Sequence, residues 1–196
     1  MKKYTKLRRK AFEVLESKLP CKLLYHDLRH TLDVIYVCNQ YIARENIESP
    51  NAELLRAAAL LHDIGFTVTY KNHEEKSAEI AEKLMSEFGF TNEEIKVVHG
   101  LIMATKIPQS PNNYLEKILC DADLDYLGRS DFGVISERLF RELKNFSLME
   151  TREAWNKTQI RFLESHSYHT TFARKNRQPK KQERLAELKH LIAINT

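Results

Sequence analysis

Apolar residues return every three or four positions along almost the whole chain, and nowhere do they alternate with polar ones for long enough to make a strand. This periodicity is the tightest constraint on the fold, because an apolar stripe at helical spacing is buried by packing helix on helix. With 5 Gly and 5 Pro, the chain also lacks the many tight turns of a sandwich or barrel. The expected class is all-α.

Leu7, Ala11, Val14 and Leu15 mark a first helix over about residues 3–19, ended by Pro20. Asp27 is a good N-cap for a second, which carries Leu28, Leu32, Ile35, Cys38 and Ile42. Pro50 and Asn51 open a third, whose run Ala52, Leu55, Ala58, Ala59 and Leu61 leads to His62 and Asp63 before Gly65 breaks it. After a link over 66–72, Ile80, Ala81, Leu84 and Phe88 trace a fourth helix stopped by Gly89, and Thr91 with Glu94 forms a capping box for a fifth. Ser110-Pro111 opens a sixth that is expected to run from about Pro111 to Leu127, through the acidic cluster, with Gly128 ending it. Ser130 caps a seventh, an eighth surrounds Trp155 and Leu163, and Pro179 sets off a last helix with Leu185, Leu188 and Leu191 on one stripe. No internal repeat or low-complexity linker divides the chain, so residues 1–196 are expected to form a single domain.

Composition excludes several classes. A hydrophobic share of 42% beside 30% charged residues is that of a folded globular chain, not a disordered one. The basic start MKKYTKLRRK is followed by no continuous apolar stretch, and no apolar run approaches the roughly 20 residues that span a bilayer, so neither export nor a membrane partner is expected. Cys21, Cys38 and Cys120 are odd in number and lack CxxC spacing, which argues against disulfides and thiolate metal sites and fits a reducing cytoplasm. The net charge of +4 gathers around Lys2, Lys3, Lys6, Arg8, Arg9 and Lys10, and again around Arg174, Lys175, Arg177, Lys180, Lys181 and Arg184. Glu13, Glu16, Glu183 and Glu187 are interspersed as on solvated helix faces, so nucleic acid is not the expected partner.

The candidate chemistry lies in three places. His26 and His30, in YHDLRH, share a helix face if one helix includes both, although such pairs are commonly structural. His62 and Asp63 end the apolar segment AELLRAAALLHDIGF, where a buried polar side chain needs a partner; a packed His with a capping Asp accounts for them as well as a ligand pair does. Asp121, Asp123 and Asp125 alternate within ILCDADLDYLG, and solvent exposure accounts for Asp121 and Asp125 more readily than for Asp123. Together they make a mixed nitrogen and oxygen donor set suited to a divalent transition metal: manganese, iron, cobalt, nickel or zinc, with magnesium as a further option. Two imidazoles and two carboxylates leave coordination positions open, so water could be acidified and a phosphoryl oxygen polarised at one ion.

In this order, His30, then His62-Asp63, then Asp123, with the flanks YHDLRHTLDV, AALLHDIGF and LCDADLDYLG, the sequence resembles the HD superfamily of metal-dependent phosphohydrolases, over about Tyr25 to Tyr126. The resemblance implies an all-α HD-domain helical bundle with a motif core over about 22–130. It also implies metal ligation by His30, His62, Asp63 and Asp123 and hydrolysis of a phosphate ester, often in a nucleotide or related small molecule. Asp123 is preferred over Asp121 because the superfamily's last Asp usually follows a small residue, here Ala122, which leaves Asp121 as a group that orients a ligand. His26 matches the proton donor of the related YHNxxH form, although Asp27 stands in place of Asn, and Asp63 or Asp123 is the expected proton acceptor. His73 and His99 fall in the interval where some members add a second metal; contact with substrate phosphate or an exposed helix start is the alternative for His73, and simple packing for His99. Lys106 and Arg129 are candidates to neutralise substrate phosphate, or surface cations at helix C-termini. His166 and His169, among polar residues of the tail, are expected at the surface. Two other readings of this motif set are a nucleotide-binding regulatory module without turnover and a di-iron oxygenase that uses His73 and His99 as ligands.

Overall fold

The described residues form ten α-helices and no strand: α1 (Lys2–Lys18), α2 (Leu28–Arg44), α3 (Asn51–Leu61), α4 (His73–Glu87), α5 (Asn92–Ala104), α6 (Tyr114–Asp123), α7 (Phe132–Asn145), α8 (Arg152–Ser165), α9 (Thr171–Asn176) and α10 (Gln178–Ile194). The computed structural model describes residues 2–194. Contacts divide the chain into two units, one of the residues up to Cys21 together with His26–Asp123, the other of Lys22–Tyr25 and everything from Leu124 onward. None of the described helices is long and apolar enough to cross a membrane.

The first unit is built around α3. Ala52, Leu54, Leu55 and every residue from Ala57 to Leu61 are buried, so this helix is apolar nearly all round and needs neighbours on every side. α1, α2, α5 and α6 provide them. From α1 come Leu7, Ala11 and Leu15, from α2 Val34, Cys38 and Tyr41, from α5 Val98, Leu101 and Ile102, and from α6 Ile118 and Leu119. Each wholly buried leucine contributes about 1.5–3 kcal/mol of transfer free energy, and α3 alone has Leu55, Leu60 and Leu61 at 0% exposure. A helix packed this way delivers whatever follows it to the centre of the unit. His62 and Asp63 follow it.

Local signals set most helix starts. The Asp27 side chain accepts hydrogen bonds from the amides of Arg29 and His30 at the head of α2, and the Thr91–Glu94 capping box opens α5 with both of its hydrogen bonds present. Three starts or stops differ from expectation. α6 begins at Tyr114 rather than near Pro111, because Asn113 Oδ1 accepts from the Glu116 amide while Glu116 Oε2 accepts from the Asn112 amide, a reciprocal cap that outweighs the proline signal. It also ends at Asp123; Leu124 turns the chain into a separate 3-10 turn, Asp125–Gly128. Ser130 does not cap α7, whose N-cap is Asp131 without a side-chain hydrogen bond. Pro179 falls inside the first turn of α10, where a missing amide hydrogen costs nothing, and the short α9 precedes it.

The second unit has its own apolar cluster, which includes Tyr25, Leu124, Tyr126, Leu127, Leu163 and Tyr168. Two buried charged residues tie it together. The Glu142 carboxylate, at 0% exposure, accepts from the amides of Leu24 and Tyr25 at 2.9 and 2.8 Å. Lys181, also at 0% exposure, donates from Nζ to the carbonyls of Leu163 and His166 and caps the C-terminal end of α8. His166 is therefore buried, contrary to the surface position expected for it, because its carbonyl and ring are part of this cap; its Nδ1 lies 3.3 Å from Lys181 Nζ. Asp125 is buried too, with Oδ1 accepting from Arg177 Nε at 2.7 Å, so solvent exposure does not explain it. On α6, in the first unit, Asp121 is likewise wholly buried.

Candidate metal centre

Four side chains converge at the end of α3. His30 comes from the first turn of α2, His62 caps the C-terminus of α3, Asp63 follows it, and Asp123 closes α6. Nε2 of His30 stands 3.3 Å from Nε2 of His62, 3.4 Å from Oδ2 of Asp63 and 3.1 Å from Oδ1 of Asp123. Nε2 of His62 stands 3.3 Å from Asp63 Oδ2 and 3.5 Å from Asp123 Oδ1. Among the described residues, His30, His62 and Asp123 form the one group of three such side chains able to hold an ion together.

These separations fit a cation. Donors at about 2.0–2.2 Å from a common ion, at octahedral or tetrahedral angles, stand roughly 2.8–3.6 Å from one another. Two observations support the fit. Oδ2 of Asp63 is buried, makes no hydrogen bond and lies 3.3–3.4 Å from both imidazole Nε2 atoms, a spacing that a cation shared with them would suit. Nδ1 of His62, for its part, lies 2.9 Å from the Ala59 carbonyl and donates to it, which turns the lone pair of Nε2 toward the other donors. The site thus suits a divalent metal held by nitrogen and oxygen. The buried thiols of Cys38 and Cys120 take no part: burial, with Asp123 nearby, pushes both up and keeps them neutral.

Electrostatics follow from the crowding. Burial acts against the charged form of His62, but Asp63 and Asp123 outweigh it and hold its pKa well above the ordinary imidazole range. Burial likewise raises the two carboxyl groups, yet the imidazoles prevail: His62 and His73 hold Asp63 well below the usual carboxylate range, and His30 and His62 bring Asp123 to about 2. Both acids are therefore anionic at any physiological pH, as metal ligands must be.

A second layer surrounds Asp63. His73, at the head of α4, places Nε2 3.5 Å from the other Asp63 oxygen, Oδ1, and Nδ1 3.4 Å from Glu74 Oε2. Its position is dictated by Gly65, whose amide donates to Ser77 Oγ at 2.8 Å and whose missing Cβ lets the 3-10 turn Ile64–Thr67 lie directly on the first turn of α4. His26 precedes the N-cap of α2, so it is not on the helix with His30, yet the two rings stand 5.9 Å apart, edge to face. Phe66 and Tyr70, in the link that periodicity leaves without structure, line the same corner; the aromatic directly after His62-Asp63-Ile64-Gly65 was the only signal for them.

The remaining candidates lie elsewhere. His99 is exposed on α5 and belongs to no cluster of ligating side chains among the described residues. Lys106 forms an ion pair with Glu75, on α4 two residues beyond His73. Arg129 belongs to the second unit, where it bonds Asp131 bidentately and lies 3.6 Å from Asp125.

Comparison with known proteins bears on the same residues. The family model of the HD domain matches residues 27–125, which span all four converging side chains. Over 108 residues the chain is 33% identical to an uncharacterized protein of Clostridium beijerinckii (strain ATCC 51743 / NCIMB 8052). That alignment covers 54% of this chain and 65% of the relative, just under two thirds of its length. No solved structure matches.

Proposed function

The chain belongs to the HD domain family, and from that premise we propose that it is a metal-dependent phosphohydrolase acting on the phosphate ester of a nucleotide or related small molecule. The observation that carries this reading is the convergence of His30, His62, Asp63 and Asp123, in which the two imidazole Nε2 atoms stand 3.1–3.5 Å from each other and from an oxygen of each acid, and the buried Oδ2 of Asp63 makes no hydrogen bond.

When bound, a divalent ion (manganese, iron, cobalt, nickel, zinc or magnesium) supplies Lewis acidity toward a phosphoryl oxygen and toward water. The chain's own residues do the rest. His30 and His62 would hold the ion, with the His62 tautomer set by the Ala59 carbonyl. Asp63 divides its two oxygens, Oδ2 toward the imidazole ligands and Oδ1 toward His73, so a proton accepted at Oδ1 has a path to Nε2 of that histidine. Asp123 is the other anionic acceptor. His26, outside the donor group but beside His30, donates the proton that the departing ester oxygen needs. Lys106 is ion-paired with Glu75 outside the converging group, so no phosphate contact is assigned to it.

The test is hydrolysis by purified protein reconstituted in turn with manganese, cobalt, nickel and magnesium, against phosphomonoesters, nucleotides and cyclic nucleotides. Turnover that a chelator abolishes and metal restores is expected; no turnover with any metal and substrate would sink the reading. Tight nucleotide binding without product would indicate a regulatory module instead. The di-iron reading requires His73 and His99 as ligands, and the exposed position of His99 does not favour it.

A further inference from the structure

His26 and His73 both lie beside the metal donors, and neither is anchored by a regular helix interior: His26 precedes the N-cap of α2, and His73 is the first residue of α4, directly after left-handed Asn72. An imidazole in such a place has several rotamers open to it, and both rings stack on one shared neighbour. Phe66 stacks on His26 with centroids 4.3 Å apart at 26°, and on His73 at 3.9 Å and 20°. The phenyl ring is itself 3% exposed, and Tyr70 meets it edge-on at 5.2 Å and 69°. The backbone of Phe66 is equally constrained, since its amide donates to the Asp63 carbonyl at 3.0 Å within the 3-10 turn that Gly65 seats on α4. Ligand Asp63 and the ring that orders both outer histidines are thus parts of one rigid turn.

From this geometry we infer that Phe66 is a positioning residue, whose ring holds His73 against Oδ1 of Asp63 and His26 beside His30. For its kinetic consequence the inference rests on the phosphohydrolase reading; for its geometric consequence it does not. The ring contacts of Phe66 are with His26, Tyr70 and His73 and not with His30 or His62, so the side chain acts on proton delivery and not on metal capture. Displacing a reacting group by about 1 Å costs on the order of 10²-fold in rate, and that loss belongs to kcat.

The experiment uses full-length, zinc-loaded protein with Phe66→Leu, Phe66→Met and Phe66→Tyr. Imidazole resonances are assigned with His26→Gln and His73→Gln and read by heteronuclear NMR, metal affinity by competition titration, and turnover with bis-p-nitrophenyl phosphate and p-nitrophenyl phosphate. In Phe66→Leu and Phe66→Met, the His26 and His73 ring signals move together as the ring current is lost, while those of His30 and His62 stay. Zinc affinity is retained, and kcat falls about 10²-fold with little change in KM. Phe66→Tyr, which keeps the ring, restores both the shifts and kcat. Unmoved His26 and His73 signals overturn the inference, as does movement of all four histidines with loss of zinc, which marks a merely structural residue. If wild-type protein turns over neither ester, the phosphohydrolase reading is the one in question, and the NMR shifts still decide whether Phe66 orders the two rings.

Discussion

A Cβ built on Gly65 would lie 2.1 Å from the carbonyl oxygen of His73. Backbone cannot yield at that distance as a side-chain tip can, so Gly65→Ala must push the 3-10 turn away from α4. We expect destabilisation of about 1–3 kcal/mol or more, seen as a lower urea midpoint. Ser77→Ala, which leaves the buried Gly65 amide without its acceptor, should cost about 1–3 kcal/mol. Equal stability of Gly65→Ala and wild type would contradict the close approach.

Removing a first-layer ligand should abolish metal capture. His30→Ala, His62→Ala and Asp123→Asn each lower affinity by more than the roughly 10–100-fold that loss of an outer partner costs. His99→Ala leaves affinity unchanged because His99 is exposed and outside the donor group. Isothermal titration with zinc or manganese distinguishes them; weakened binding in His99→Ala would mean that the ligand set extends to α5.

Metal binding should release protons and strengthen as pH rises. Without metal, His62 keeps its proton well above the ordinary imidazole range, so near pH 7 the ion must displace it. Titrations in buffers of different ionisation enthalpy should report about one proton released per ion at neutral pH. For the metal-free protein the signs are opposite for the two partners. The raised His62 contributes stability in full below its unfolded value of about 6.5, lost as pH rises through its folded pKa. The depressed Asp123 contributes above its unfolded value of about 3.8, lost as pH falls toward about 2. Metal-free protein should therefore be most stable in mildly acidic to neutral solution, and a steady gain in its stability from pH 7 to 9 would count against this charge arrangement.

In the second unit, Glu142→Ala should destabilise by about 1–3 kcal/mol, because the amides of Leu24 and Tyr25 lose a buried acceptor. Glu142→Gln keeps an acceptor oxygen and should cost less. Thermal unfolding of the two variants orders them, and the reverse order would contradict the contact.

Much of this was legible in the residues themselves. The apolar period marks nearly every helix, and the N-cap at Asp27 and the box at Thr91 and Glu94 are complete within four residues of sequence. The ordered appearance of His30, His62-Asp63 and Asp123, through its resemblance to the HD pattern, points to the residues that the fold brings together. Burial was harder to read. Solvent exposure was open to Asp121 and Asp125 and expected of His166, yet all three are buried, Asp125 against Arg177 and His166 against Lys181, which the sequence does not place beside them. The break of α6 at Leu124 was hidden for the same reason, since the helical period continues through it.

What the chain's sequence determined by itself is local: periodicity, capping and donor identity depend on side chains a few positions apart. Tertiary structure alone decided that Asp63 turns one oxygen to the ligand imidazoles and the other to His73, and that Phe66 orders both outer histidines. Those relations arise where α2, α3, α4 and α6 pack, and the contacts that set them join residues remote in sequence, so no short window contains the forces that settle them.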